Sequence, residues 1–278
     1  MRTDTDIFDI GRFGWPADVH LAADLSATEW LNEPHLWSSG NHRFIGNLIP
    51  RGYARYVRLN HPARKNPRPT GERLMWDQYE RRQIPVSWAT VARWSGQSLD
   101  DALKFEDLLP TKTISQEMPF DDEPYWHLTP VMLGNLIPVL RGLTTTPDQI
   151  WMGFCDTTGE WAGPECAWAD VHDDRTRPDF DERRRLRQQF CHEIVQLPRW
   201  APPGWAATGR TYWLAEGPVE GVYDISRSIY AVAPFIWWPQ DHAWCVFREI
   251  DFDFSMVATT DDGYEQLVNL PGVEAYEA

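Results

Sequence analysis

The stretch Phe235–Met256, FIWWPQDHAWCVFREIDFDFSM, limits what this chain can fold into more than any other. It runs from two tryptophans and a proline through a short polar turn into the longest alternating segment in the sequence. From Trp244 onward the period is two. Trp244, Val246, Ile250, Phe252 and Phe254 fall on one face, and Cys245, Phe247, Glu249, Asp251 and Asp253 on the other. Alternation of this length predicts a single half-buried strand, and its aromatic and β-branched content places that strand centrally in a sheet.

Other segments carry start and stop signals. Ser26 and Glu29 have capping-box spacing, which predicts a short helix with Trp30 and Leu31 inward. Ser87 precedes Trp88, Val91 and Ala92 at helical spacing, and Gly96 stops the run. Ser98–Leu109 reads as another helix. Thr129-Pro130 opens one with Leu133, Leu136, Ile137 and Leu140 on its apolar face, and Pro138 predicts a kink or an early end. Arg73–Arg82 is ambiguous. Asp179–His192 reads as a charged helix with Leu186 and Phe190 inward, and Thr260 caps a last one. Strands are expected at Phe44–Ile49, Tyr53–Asn60, Ile150–Cys155 and, as a pair, Glu193–Leu197 with Thr211–Glu216. Val273–Tyr276 reads as an edge strand. Residues His61–Thr70, with three prolines, read as a loop, as do Trp161–Pro178.

Helices gather early and strands late, which predicts an α+β fold with a mostly antiparallel sheet in the C-terminal half and helices packed on it. Residues 1–20 read as a flexible or loosely docked arm and 21–278 as a single unit, with the irregular acidic stretch 110–128 as the alternative boundary.

Composition narrows the function classes. With 41 Asp plus Glu against 26 Lys plus Arg, the net charge is −15. That field opposes binding to nucleic acids and anionic membranes and favours a basic protein partner, unless it serves solubility alone. No run of about 18 apolar residues exists to cross a membrane, and the start lacks a secretory h-region. A cytoplasmic location is expected. Cys155, Cys166, Cys191 and Cys245 are too irregularly spaced for a disulfide framework. The 16 tryptophans are mostly core material, with some free to line a groove.

Three groups of residues could carry chemistry. On one strand face, neighbours among Glu249, Asp251 and Asp253 would stand ~6.6 Å apart. Each neighbouring pair would repel by ~2.5 kcal/mol at an effective dielectric near 20 but only ~0.6 kcal/mol in water. The face is therefore either solvated or neutralised by a divalent metal or basic ligand. Arg248 and Arg55 sit among apolar neighbours and would form an anion pocket if they converge. Trp237, Trp238 and His242 complete the set of ligand-binding candidates. Cys191-His192-Glu193 is no triad, because adjacent side chains do not face one another. His172-Asp173-Asp174 reads as a polar loop. Gly-rich phosphate loops, G-x-S-x-G and H-E-x-x-H are absent from the sequence.

The segments Ile45-Gly-Asn-Leu-Ile-Pro-Arg-Gly-Tyr-Ala-Arg-Tyr56 with His61-Pro62, Thr144-Thr-Thr-Pro-Asp148, and Trp237-Trp-Pro-Gln-Asp-His-Ala-Trp244 running into Glu249-Ile-Asp251 resemble a family of bacterial proteins typical of actinomycetes. That family has no established activity, so the resemblance implies one family-wide unit and carries no catalytic residues over. The acidic, Trp-rich α+β composition is also similar to that of immunity proteins of toxin systems. Two readings follow: a non-enzymatic binding protein for a basic partner, or a metal-dependent enzyme or small-ligand binder using the Glu249/Asp251/Asp253 face.

Overall fold

The computed structural model describes residues 15–32, 49–65, 84–99, 104–109, 120–125, 128–155, 180–203, 210–227, 233–249 and 252–278. In chain order the strands are β1 (His20–Leu21), β2 (Arg55–Asn60), β3 (Ala63–Lys65), β4 (Ile84–Val86), β5 (Phe120–Pro124), β6 (Ile150–Cys155), β7 (Tyr212–Gly217), β8 (Ile236–Pro239), β9 (Cys245–Arg248), β10 (Phe254–Thr259) and β11 (Ala275–Glu277). The helices are α1 (Trp88–Ser95), α2 (Pro130–Gly142), α3 (Phe180–Ile194), α4 (Glu220–Ser226) and α5 (Asp261–Val268), with 3-10 turns at Ser26–Asn32 and Phe105–Leu108. Two sheets form: an 8-stranded one in the order β1-β7-β6-β8-β9-β10-β2-β11, and a 3-stranded one in the order β4-β3-β5. Every described pairing is antiparallel. The expected α+β class is what the structure shows.

The large sheet is buried on both faces, and the two covers differ. On one side, Trp213, Trp237, Trp244, Val246 and Val257 pack against Leu133, Leu136 and Leu140 of α2, Phe190 and Ile194 of α3, Val222 of α4 and Leu267 of α5. All the described helices except α1 therefore lie on one face. On the other, Tyr212, Phe235, Trp238, Cys245, Phe247 and Met256 meet Leu25, Trp30, Leu31, Ile49, Tyr53 and Trp200. That cover is one 3-10 turn and extended chain, and it is rich in aromatic rings. α1 and the small sheet enclose a third cluster around Trp88 and Phe105.

Local chemistry explains where elements start. The Ser87 hydroxyl accepts from Thr90 N–H at 3.2 Å, and Gly96 ends α1 at φ 73°. The Thr129 side chain accepts from Met132 N–H with Pro130 at the first helical position. Thr260 accepts from Gly263 N–H at 3.1 Å to open α5.

Several expectations are corrected. The 244–256 run is two strands, β9 and β10, paired through Arg248 with Ser255 and Val246 with Val257. The chain turns between them, where Phe252 N–H donates to the Glu249 carbonyl. Both faces of β9 are buried, so alternation of polar and apolar residues did not mark a solvated side. Glu193 belongs to the last turn of α3, and Leu197 N–H closes on the Ile194 carbonyl, so β7 pairs instead with β6 and β1. Ala63–Lys65 and Phe120–Pro124, expected in irregular stretches, pair with each other in the small sheet. Pro138 lies inside α2, which runs on to Gly142. At Ser26 the helix is 3-10, and the cap is Asp24, whose carboxylate accepts from both Ser26 N–H and its hydroxyl. Of the expected arm, the described residues 15–20 follow the docked alternative: Trp15 stacks on Phe190 at 4.7 Å, and β1 adds to β7. Expectations for residues 1–14, 44–48, 73–82, 100–103, 161–178 and 250–251 lie outside the described residues.

Candidate functional site

The ends of the large sheet differ in chemistry. At one end the chain turns from β8 into β9. Asp241 accepts from the Thr144 hydroxyl, the Thr145 N–H and the Thr145 hydroxyl, each at 2.7 Å. Partial burial pushes its carboxyl up, but these hydrogen bonds outweigh it and hold the group below the usual carboxylate range. Gln240 accepts from Trp151 Nε1 at 2.7 Å. His242 takes φ 54° and stacks on Trp30, with ring centroids 4.2 Å apart and planes at 20°. Its carbonyl accepts from the Tyr53 hydroxyl at 3.0 Å. Burial lowers the His242 imidazole below its ordinary value, against the nearby Asp241 charge. Tyr53, Thr144, Thr145 and Asp241, from three separate parts of the chain, meet at this turn.

At the other end, β6, β7, β8 and β9 bring together Cys155, Tyr212, Phe235, Arg248 and Glu249. Arg248 is buried. Its Nη2 donates to the Ala233 carbonyl at 2.8 Å, its Nε to the Pro234 carbonyl at 3.3 Å, and its guanidinium lies 3.8 Å over the Phe235 ring. Glu249 is buried in an ion pair with Arg210. Tyr212 faces the same group. Burial pushes its phenol far above the ordinary value, the Cys155 and Glu249 charges add to the rise, and Arg210 and Arg248 oppose it. The thiol of Cys245, buried deeper in the same layer, is also pushed well up by desolvation. It is therefore a packed thiol rather than a thiolate at neutral pH.

Arg58 marks the far side of this end. It lies between the rings of Trp88, at 5.0 Å, and Phe254, at 4.3 Å, with Nε donating to Asn60 at 2.7 Å. Burial lowers its pKa, and Asp253, Tyr276, Glu274 and Asp107 act against that. Carboxylates ring this arginine, which argues against an anion site there. Asp253 accepts from Phe105 N–H at 3.0 Å; burial raises its carboxyl, opposed by that bond and by Arg58.

The sequence-derived candidates divide accordingly. Trp238 lies in the aromatic layer, His242 stacks on it, and Arg248 covers its edge. Trp237, one residue away in β8, points to the helix-covered face and meets Trp244 edge-on at 5.2 Å. Arg55 is outside both, bound to Asp261 at 2.7 Å and Glu277 at 2.8 Å and lying 5.2 Å over Tyr264. It pairs with Thr259 at one end of β10 while Arg248 pairs with Ser255 near the other, so the two arginines do not form one anion pocket.

The acidic row is corrected too. Glu249 turns to Arg210 and Asp253 to the Phe105 turn, because the chain reverses between them; Asp251 lies outside the described residues. Among the described residues no group of three or more His, Cys, Asp or Glu side chains is arranged to hold a metal ion. His192 is exposed on α3, with Nδ1 3.2 Å from the Gln188 carbonyl. The Arg210–Glu249 pair and the Asp241 clamp were missed from sequence, since their partners lie far apart in the chain and no local pattern joins them.

No protein-family model matches the chain, and neither does any curated protein or solved structure.

Proposed function

We propose that this chain is a non-enzymatic, acidic binding protein that holds a basic protein partner, as an immunity protein does. The division of surface charge carries the reading. The net charge is −15, and cations of the described residues are largely engaged within the protein: Arg55 with Asp261 and Glu277, Arg141 with Asp148 and Glu220, Arg185 with Glu182. The exposed carboxylates of Asp18, Glu29, Glu216 and Glu265 have no ion-pair partner among the described residues. Such a surface attracts a basic protein and repels acidic ones and nucleic acids.

The test is the salt dependence of a defined complex. Full-length protein is used as bait in extract of the organism that encodes it, and captured partners are then purified. The expected partner is basic, with affinity falling about tenfold or more between low and high salt as screening shortens the field. A partner whose affinity ignores salt, or one that binds equally after Asp18, Glu29, Glu216 and Glu265 become their amides, refutes the reading.

A further inference from the structure

The aromatic cover of the large sheet stops short of one row. Across that row, on the covered face, stand His20, Glu216, Trp151 and Trp238, each directly opposite the next. Residues so placed in antiparallel pairs hold their Cβ atoms about 5 Å apart. Two residues further in, Leu214 and Ile236 are buried under the cover. In the outer row Trp238 is buried, Trp151 is half-buried, and His20 and Glu216 are exposed. The cover ends at half-buried Trp30, which meets Trp238 at 6.0 Å and stacks on half-buried His242 at 4.2 Å. Trp238 thus joins two half-buried indoles, Trp151 and Trp30, into one aromatic shelf. Glu216 stands beside the first, and exposed Glu29 precedes the second in the chain.

The chemistry left over on the shelf selects its occupant. Trp151 Nε1 is engaged by Gln240 at 2.7 Å, so this indole has only ring surface left to offer. Aromatic ring faces attract cations. Glu216 and Glu29 have no ion-pair partner among the described residues. His242 brings no opposing charge, because burial holds its imidazole neutral at pH 7. Of the basic side chains, arginine suits such a place better than lysine. Its planar guanidinium stacks on a ring and pairs with a carboxylate through one group, whereas the lysine ammonium is a strongly hydrated point charge.

We propose that the basic partner docks on this shelf, seating an arginine with its guanidinium over the Trp151 ring and against the Glu216 carboxylate. The inference rests on the acidic-surface reading above and names the place on that surface where the partner is held.

The test uses short peptides alike except that their basic positions are all arginine, all lysine or all citrulline, the uncharged isostere of arginine. Binding to the intact chain is followed by tryptophan emission and calorimetry. The arginine peptide is expected to bind saturably, with the lysine peptide about threefold weaker and the citrulline peptide at least about tenfold weaker. Glu216→Gln and Trp151→Leu are each expected to weaken the arginine peptide about three- to fivefold, the worth of an exposed ion pair or cation–π contact. Glu265→Gln removes the same charge from α5, which packs on the opposite face of the sheet, and is expected to leave the affinity unchanged. Should Trp151→Leu lower the thermal midpoint, Glu216→Gln, at an exposed side chain, decides alone. Equal binding of the arginine and citrulline peptides overturns the shelf. So does a loss on Glu265→Gln as great as on Glu216→Gln; with salt dependence retained, that result leaves the acidic-surface reading standing, because the peptide is then held by the general field. An arginine peptide that does not bind overturns the shelf as well, and the salt dependence of the captured partner judges the wider reading separately.

Discussion

The Arg210–Glu249 pair offers the sharpest test of how the polar end of the sheet is held. Glu249 is 3% exposed and the Arg210 side chain 16%, so the two partners differ in how far each can recover water when the other is removed. Losing one member of a buried pair costs ~3–5 kcal/mol, chiefly because a charge is left desolvated. Arg210→Met removes the ion-pair partner of the deeper charge, and about 3 kcal/mol is expected. Glu249→Gln leaves the arginine, whose long stem can carry its head toward solvent, and about 1–2 kcal/mol is expected. At roughly 2–4 °C per kcal/mol for a chain of this size, the thermal midpoint falls by about 6–12 °C in the first case. Urea unfolding followed by tryptophan emission gives the free energies from midpoints at constant slope. The double variant Arg210→Met/Glu249→Leu, which removes both charges of the pair, is expected to recover at least half the loss. Arg210→Met costing under ~1 kcal/mol, as exposed ion pairs do, would refute the argument. A double variant no better than the worse single one would refute it too.

Two further outcomes follow from contacts elsewhere. Asp241 is held below the ordinary carboxylate range by Thr144 and Thr145, so its contribution is present above its unfolded pKa of ~3.9 and is lost as pH falls through the lower folded value. Asp241→Asn is expected to cost about 1 kcal/mol near neutral pH, with the gap to the parent closing in acid; urea midpoints measured across that range check it. Gly263 sits in the first turn of α5 where an added methyl would run into the Thr259 side chain and stand 3.0 Å from Leu143. Gly263→Ala is therefore expected to destabilise by about 1–2 kcal/mol despite its better helix propensity, because overpacking outweighs it; a gain in thermal midpoint would contradict this.

Much of the fold was legible in capping chemistry. Ser87, Thr129 and Thr260 each announced a helix that the structure places where expected, since a cap acts on backbone groups two or three residues away. β2, β6 and β7 were legible for a similar reason, as short β-branched and aromatic runs between turn residues. The β9–β10 hairpin was not. Its alternation carries across the reversal from Glu249 to Asp253, and only the register of Arg248 with Ser255 shows that the chain turns back. Glu274 illustrates the other kind of miss. Its carboxylate accepts from Trp88 N–H at 2.7 Å and Ala89 N–H at 2.9 Å, so a residue far along the chain completes the N-terminus of α1. No local pattern near Ser87 signals that. The candidate site was half legible: Trp238, His242 and Arg248 were named from sequence, but adjacent Trp237 faces the other way, and Tyr212 and Arg210 were not singled out.

The position of β2 bears on how a ribosome can make this protein. Residues 55–60 lie between β10 and β11, which are translated long after them. At the other edge, β1 waits for β7. β1 and β2 thus emerge long before their partners exist, and the large sheet cannot close until β11 has been made. Pairing across such sequence distances is slow, and strand edges left waiting are prone to aggregate. Nascent chains stalled before Phe254 should accordingly leave β2 without either of its partners and require chaperone protection, whereas chains extended past Glu277 can complete the sheet.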